Sequence, residues 1–296
     1  MKRGVLFLVF SALVIFFGYV WHIGAWNLIF PKNSHDSIEP ELPKFLNQPS
    51  VLVFSKTNQF RHKDSITSGQ AYFSELTSSK GIGVFLTENG ASFNPGTLAN
   101  FDVVVFLNVT GDVLNASQRK AFQQWLVDGG GWLGIHAAGD GSHVGWDWYM
   151  KNLVGAIFTA HTMGPQFQEA TILSEAPDHP VMFGLPKKWQ HLEEWYSWDI
   201  SPRQNGFLVF ASIDEKSYSP EERVFFGDRD LRMGDHPVVW GRCLKKGRSV
   251  YVAMGHKAEA FESQYIAELL SNAIDWLISE KVPSSDCSPH VNTKDE

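Results

Sequence analysis

The chain has 296 residues, 44% of them hydrophobic and 19% charged, with a formal net charge of −7. Its Lys and Arg are scattered, so there is no basic stripe to neutralise phosphates, and nucleic acid is not an expected partner. Two cysteines, Cys243 and Cys287, are too few for a disulfide framework or a thiolate metal cage. They read either as a pair in an oxidising compartment or as two separate thiols.

Residues 4 to 31 contain no Asp, Glu, Lys or Arg. Lys2 and Arg3 precede an apolar run from Val5 to Val20, followed by Trp21, His22, Ile23, Gly24, Ala25 and Trp26. About 20 helical residues cross a bilayer core, so residues 1–30 are expected to form one transmembrane helix acting as an uncleaved signal anchor. The Trp pair suits an interfacial belt, and Lys2/Arg3 would hold the N-terminus in the cytoplasm, with the domain on the periplasmic or extracellular side. Secretion after signal cleavage is the alternative, although Gly18-Tyr19-Val20 and His22-Ile23-Gly24 make poor cleavage sites. A Pro-containing linker is expected at 31–49, a globular domain at 50–280 and a polar tail at 281–296.

Within the domain, a strand is predicted at 50–55, a loop at 56–63 and a helix over about 64–79. Strands at 83–87 and 101–107 follow, the second marked by a β-branched run. Asn115, with Gln118 three residues on, has the capping-box pattern. The helix it opens carries Ala121, Phe122, Trp125 and Leu126 on its apolar face, and Gly129 to Gly131 stop it. A buried strand at 132–136 comes next. Such alternation predicts an α/β fold with a doubly wound parallel sheet. The second half reads as more β-rich, with strands at 168–173, 207–212, 237–241 and 249–254 and a last helix over about 262–278. Asn108-Val-Thr and Asn115-Ala-Ser are formal glycosylation sequons.

The most informative stretch is Gly129 to Gly139, Gly-Gly-Gly-Trp-Leu-Gly-Ile-His-Ala-Ala-Gly. It reads as a strand running into a sharp strand-to-helix elbow with His136 at the apex, where related geometry holds a nucleophilic Ser or Cys. Polar residues follow other predicted strands: Arg61, His62 and Asp64; Asn108, Thr110, Gly111 and Asp112; and His256. A parallel sheet presents such strand ends on one edge, where these folds bind ligands. Imidazoles there suit proton transfer near neutral pH. The alternative is a divalent metal such as zinc, with His62, His136, His161, His256 and Glu194 as candidate ligands. No His-x-x-x-His spacing supports the metal, so that reading rests on predicted convergence. The segments 139–149, with Asp140, Trp146 and Trp148, and 193–199, with Glu194 and Tyr196, mix aromatics with carboxylates. Sugars are bound by such mixtures, stacked on a ring and hydrogen-bonded to a carboxylate; the alternative for Trp146 and Trp148 is packing on a helix face. Asp140 and Glu194 could form an acid/base pair.

Six ordered segments resemble the ThuA-like (trehalose-utilisation) family: Phe60-Arg61-His62-x-Asp64-Ser65-Ile66, Thr110-Gly111-Asp112-Val113-Leu114, Gly134-Ile135-His136-Ala137-Ala138, Glu194-x-Tyr196, His236-Pro237-Val238-x-Trp240, and Gly247-Arg248-x-Val250-Tyr251-x-x-x-Gly255-His256. The resemblance implies a flavodoxin-like fold of the class I glutamine amidotransferase type and a role in carbohydrate metabolism. In that superfamily the elbow carries Cys and a later His completes a glutaminase pair. Here the elbow carries His136, and Glu259 lies three residues beyond His256 rather than two. An imidazole forms no thioester, so glutaminase activity is not expected. The family commonly has Pro after the residue matched by His161, where this chain has Thr162. The resulting expectation is a membrane-anchored protein acting on a glycoside or keto sugar by acid/base chemistry, as an isomerase, lyase or hydrolase. His62, His136, His256 and Glu194 would form its centre, with Arg61, Asp64, Thr110, Asp140, Trp146, Trp148 and Tyr196 around the ligand. A non-catalytic sugar-binding or scaffold domain is the alternative.

Overall fold

A computed structural model of the chain describes residues 2–30, 32, 34–224, 227–279 and 287. Most of the uncharged N-terminal run is in one helix, α1 (Lys2–His22), which ends short of the expected residue 30 with a separate helical turn at Trp26–Ile29, and its window Val5–His22 is long and apolar enough to cross a membrane. Only 6% of that window is buried against the rest of the protein, unlike a helix of a soluble core. The tail expected at 281–296 lies outside the described residues except for Cys287, which is bridged to Cys243 across a Cα–Cα distance of 5.4 Å.

Thirteen strands follow in the described residues. The first four are β1 (Ser50–Phe54), β2 (Gly83–Thr87), β3 (Val103–Leu107) and β4 (Gly131–Ile135). Then come β5 (Phe158–His161), β6 (Phe167–Ser174), β7 (Lys188–Glu194), β8 (Tyr196–Trp198) and β9 (Leu208–Ile213). The last are β10 (Glu221–Val224), β11 (Gly227–Asp230), β12 (Pro237–Leu244) and β13 (Gly247–Val252). Nine of them form one sheet in the order β2-β1-β3-β4-β13-β12-β9-β6-β7. The first five pair in parallel, and every residue of β1, β3, β4 and β13 is buried, as a strand covered on both faces must be. This is the flavodoxin-like order. The sheet is not parallel throughout: β12, β9, β6 and β7 extend it antiparallel.

Helices cover the parallel half. In α2 (Lys63–Lys80) the buried side is Ile66, Gly69, Phe73 and Thr77, spaced three to four residues apart. The capping box opens α3 (Ala116–Val127): Asn115 Oδ1 accepts from the Gln118 amide at 3.0 Å and Gln118 Oε1 from the Asn115 amide at 2.8 Å. Phe122 of α3 then stacks on Phe106 of β3, with ring centroids 5.4 Å apart. The last helix, α4 (Gln264–Ile278), buries Ile266, Leu269, Leu270, Ala273, Ile274 and Leu277, and Tyr72 of α2 donates to its Ala267 carbonyl at 2.6 Å.

Several sequence expectations change here. Neither sequon asparagine is free. Asn108 is buried against Ser65, and the Asn115 side chain is used in the cap. His136 is followed by single 3-10 turns rather than by a helix, because Gly139 and Asp140 end the first turn at once. Strands β5, β7, β8, β10 and β11 were not legible: β8 has three residues, and β10–β11 is an exposed charged ribbon without apolar alternation.

Strand β7 carries the consequence for function. It is the sheet's far edge, four places from β13. In a flat sheet that is about 19 Å at the usual strand spacing, yet Glu193 at the end of β7 accepts a hydrogen bond from the Gly255 amide just beyond β13 at 2.6 Å. The antiparallel half therefore curls back over the carboxyl edge of the parallel half. That curl closes the site.

A histidine and carboxylate centre at the carboxyl edge

His136 follows β4 directly and sits at φ 47°, a left-handed conformation that costs a β-carbon-bearing residue about 1–3 kcal/mol. Three hydrogen bonds hold it there. Tyr251 Oη donates to the His136 carbonyl at 2.6 Å, the Ala137 amide donates to Asn108 Oδ1 at 3.3 Å, and His136 Nδ1 lies 2.9 Å from the Ala253 carbonyl. Glycines make the room: at Gly255, φ 126°, a β-carbon would come within 2.7 Å of the Ile135 side chain. A carbonyl only accepts, so His136 Nδ1 carries the proton and Nε2 presents a lone pair.

Around that lone pair the chain brings together residues far apart in sequence. Tyr196 Oη is 3.0 Å from His136 Nε2 and His256 Nδ1 is 3.1 Å from it. His256 Nδ1 is also 3.1 Å from Glu194 Oε2, while Glu194 Oε1 takes the Gln166 amide at 2.5 Å and lies 3.2 Å from His161 Nδ1. The pairing of β5 with β8 sets His161 opposite Tyr196 and so fixes this side of the cluster. The His62 ring packs edge-on against His136 and His256, with centroids 4.9 and 4.5 Å away. His62 Nδ1 is buried with no hydrogen-bond partner.

Burial pushes the His62 imidazole well below its ordinary range, helped by neighbouring His136 and His256, and brings His136 down to about 4 against the pull of Glu193 and Glu194. Burial alone would raise Glu194, but the hydrogen bond to His256 and the charges of His256, His136 and His161 hold it down to about 2. At neutral pH the centre thus contains neutral His62 and His136 facing an ionised Glu194. The carboxylate has no hydrogen to give, so His256 donates to it.

Beside Glu194 lies a residue that sequence reasoning missed. Glu193 is 1% exposed, and it accepts from the amides of Gly255, Glu194 and His256 at 2.6, 2.8 and 3.3 Å. It locks the loop bearing His256 to the loop bearing Glu194. No apolar alternation marks it in the sequence, because along β7 polar His191 and Glu193 are buried with Trp189 while apolar Leu192 is exposed with Lys188 and Gln190.

The other expected residues fall into three places. Arg61 and Asp64 line the mouth: a cavity of about 670 Å³ is bounded by both, together with His62, Phe167, His256 and Glu259. Arg61 is engaged there by Glu88 at 2.6 Å. The end of α1 borders the same cavity, where Lys63 Nζ sits 4.0 Å over the Trp21 ring and the Arg61 amide donates to the Gly24 carbonyl at 3.0 Å. Thr110 and Asp140 shape loops: Thr110 Oγ1 donates to the Phe60 carbonyl at 2.8 Å, and Asp140 Oδ1 accepts from the Ser142 amide at 2.8 Å. Burial raises Asp140, which stands at the start of a 3-10 turn, and the Glu194 charge pushes it the same way. Trp146 and Trp148 pack on Phe122 of α3, 5.9 and 6.5 Å between centroids, and Trp146 stacks on Tyr149 at 5.0 Å. They belong to the helix-face packing and not to the cavity that His62 and His256 line. A second hollow of about 860 Å³ lies at the amino ends of the strands, between Asp102, Gly130 and Gly247, away from the histidines.

The family model described as "ThuA: Trehalose utilisation" matches residues 50–277. Among solved structures, a ThuA-like protein from Bacteroides uniformis is 28% identical with a TM-score of 0.68, over 83% of this chain and 97% of that one. A ThuA-like protein from Parabacteroides merdae is 16% identical with a TM-score of 0.57, over 82% and 96%. A cytoplasmic protein from Salmonella typhimurium shares the fold at 11% identity and a TM-score of 0.53, over 77% and 99%. Comparison with curated proteins gives no match. With the elbow histidine, the later Gly-His and the Glu-x-Tyr segment joined in one centre, and the family model spanning nearly all of the globular part, the chain belongs to the ThuA family.

Proposed function

We propose that this protein binds a sugar, a glycoside or keto sugar, in the cavity at the mouth and moves a proton on it through Glu194, His256 and His136. The observation that carries the reading is the shared nitrogen–oxygen network: His256 Nδ1 stands 3.1 Å from both Glu194 Oε2 and His136 Nε2. A proton can pass among these atoms without any group moving by more than a rotation. Such a centre suits abstraction of a proton beside a carbonyl, which needs a base and no nucleophile. The mouth is of a size that takes a mono- or disaccharide. The elbow imidazole supports chemistry other than glutamine hydrolysis.

The apolar helix supports a membrane tether, and the Cys243–Cys287 bridge supports an oxidising compartment outside the cytoplasm. Because α1 ends at the mouth, the tether would hold the cavity close to the bilayer surface.

The test is turnover of native and 3-keto glucosides by the full chain in detergent. Glu194→Gln is expected to lower kcat by about 10²–10⁴ while the variant melts near the wild-type temperature. A panel on which the wild type turns over glucosides and Glu194→Gln matches it would overturn the assignment of Glu194. A chain that binds none of these sugars would overturn the sugar reading.

A further inference from the structure

We infer that His62, His136 and His256 form a three-histidine seat for a first-row divalent cation of the zinc class, open toward the mouth. The inference rests on the same cleft being the functional site; with the ion bound, His136 and His256 serve as ligands and Glu194 is left as the base. One nitrogen from each ring lies within 4.8 Å of those of the other two. The rings are close to mutually perpendicular, with interplanar angles of 88°, 87° and 78°. An edge-to-face arrangement of this kind is compatible with three nitrogens meeting at one point.

One buried nitrogen of the three rings lacks a partner, and a carboxylate stands beside them. His136 Nδ1 gives its hydrogen to the Ala253 carbonyl, leaving a lone pair on Nε2. His256 Nδ1 has one hydrogen at most, which goes to Glu194 Oε2 at 3.1 Å, while Tyr196 Oη donates to that lone pair at 3.0 Å. Glu194 Oε2 itself lies 3.6 Å from His136 Nε2, so an anionic oxygen stands beside the ring nitrogens that would hold an ion. The buried His62 Nδ1 has no partner at all. Orphaned buried nitrogens each cost about 1–3 kcal/mol. A cation at the middle would engage the three rings and balance the Glu194 charge beside them.

The distances fit. Zinc–nitrogen bonds of 2.0–2.1 Å at a tetrahedral angle set ligand nitrogens about 3.3 Å apart, and His136 Nε2 and His256 Nδ1 are 3.1 Å apart. The outer shell has the form such sites need. The Ala253 carbonyl takes the second nitrogen of His136 and fixes its tautomer, and Glu194 is held beside the seat by Gln166. Three imidazoles select zinc, copper, iron or nickel over magnesium or calcium, which prefer oxygen. His62 and His256 also border the cavity, so the ion's remaining position would face a ligand there, as in catalytic rather than structural sites. A cation so placed would polarise a carbonyl or hydroxyl oxygen of a bound sugar.

The experiment uses the full chain in detergent, stripped with chelator and titrated with Zn²⁺ against a competing chelating dye. One equivalent is expected to bind, with Mg²⁺ unable to displace it. His62→Gln and His256→Ala should each weaken binding by about 100-fold, and His35→Gln, outside the cluster, should leave it unchanged. Co²⁺ loaded in place of Zn²⁺ should show a visible absorption band that both cluster variants lose. Equal zinc affinity in the wild type and in both cluster variants, or no saturable binding, overturns the seat. Sugar binding to the stripped chain, followed by tryptophan fluorescence with a 3-keto glucoside, separates the two claims. Sugar bound without zinc affinity sinks the seat alone, and zinc bound without sugar sinks the sugar reading alone.

Discussion

Removing the Glu193 carboxylate should cost this protein more stability than removing any exposed charge. Three buried amides, those of Gly255, Glu194 and His256, donate to it at 2.6, 2.8 and 3.3 Å. In Glu193→Ala each loses its acceptor, and an unsatisfied buried donor costs about 1–3 kcal/mol. Water entering the vacated space recovers part of this, which puts the sum at about 3–5 kcal/mol. For a domain of this size about 2–4 °C of melting temperature accompanies each kcal/mol, so the expected drop is about 6–20 °C. Glu193→Gln keeps the shape and one accepting oxygen but turns an NH2 group toward an amide, and it should fall between Ala and wild type. Burial opposes ionisation of Glu193, yet the His191 ring 3.7 Å away and the Gly255 amide outweigh it and hold its pKa below the usual carboxylate range. The assay is thermal unfolding followed by near-ultraviolet circular dichroism at pH 7. A Glu193→Ala variant melting within 2 °C of wild type, outside the about 6–20 °C expected, would show that this carboxylate does not tie the curled half of the sheet to the His256 loop.

Glu215 supplies a pH dependence. Burial would raise it, but the His236 ring at 2.9 Å and the Met233 and Gly234 amides outweigh burial and depress its pKa. A depressed carboxylate contributes stability that is present above the unfolded pKa, about 4.3, and lost as pH falls through the folded value. The slope of melting temperature against pH on the acid side should therefore be shallower in Glu215→Gln, and parallel curves would refute the role. The N-terminal helix gives a third test. The full chain should stay with the membrane fraction after alkaline extraction, and its release as a soluble protein beginning near residue 25 would show cleavage instead.

Much of this protein was set locally. The β-branched runs of β1 and β3, the capping box at Asn115, the glycines that stop α3 and the apolar spacing of α4 each depend on neighbours within a turn or a strand length, so they are readable in order along the chain. The direction of a parallel strand fixes which end carries the ligand, which is why His62, His136 and His256 could be placed on one edge before any contact was known. Tertiary structure decided what those histidines meet. His136 touches residues 60 and 120 positions away, and Glu193 secures an amide 62 positions away, across a sheet whose curl no local pattern records. It decided as well that Trp146 and Trp148 serve packing, since an aromatic beside a carboxylate looks the same in sequence whether its face meets a sugar or Phe122. Hydrophobic periodicity reports that a side chain is buried. The partner it is buried against depends on how the sheet bends, a property of the whole chain.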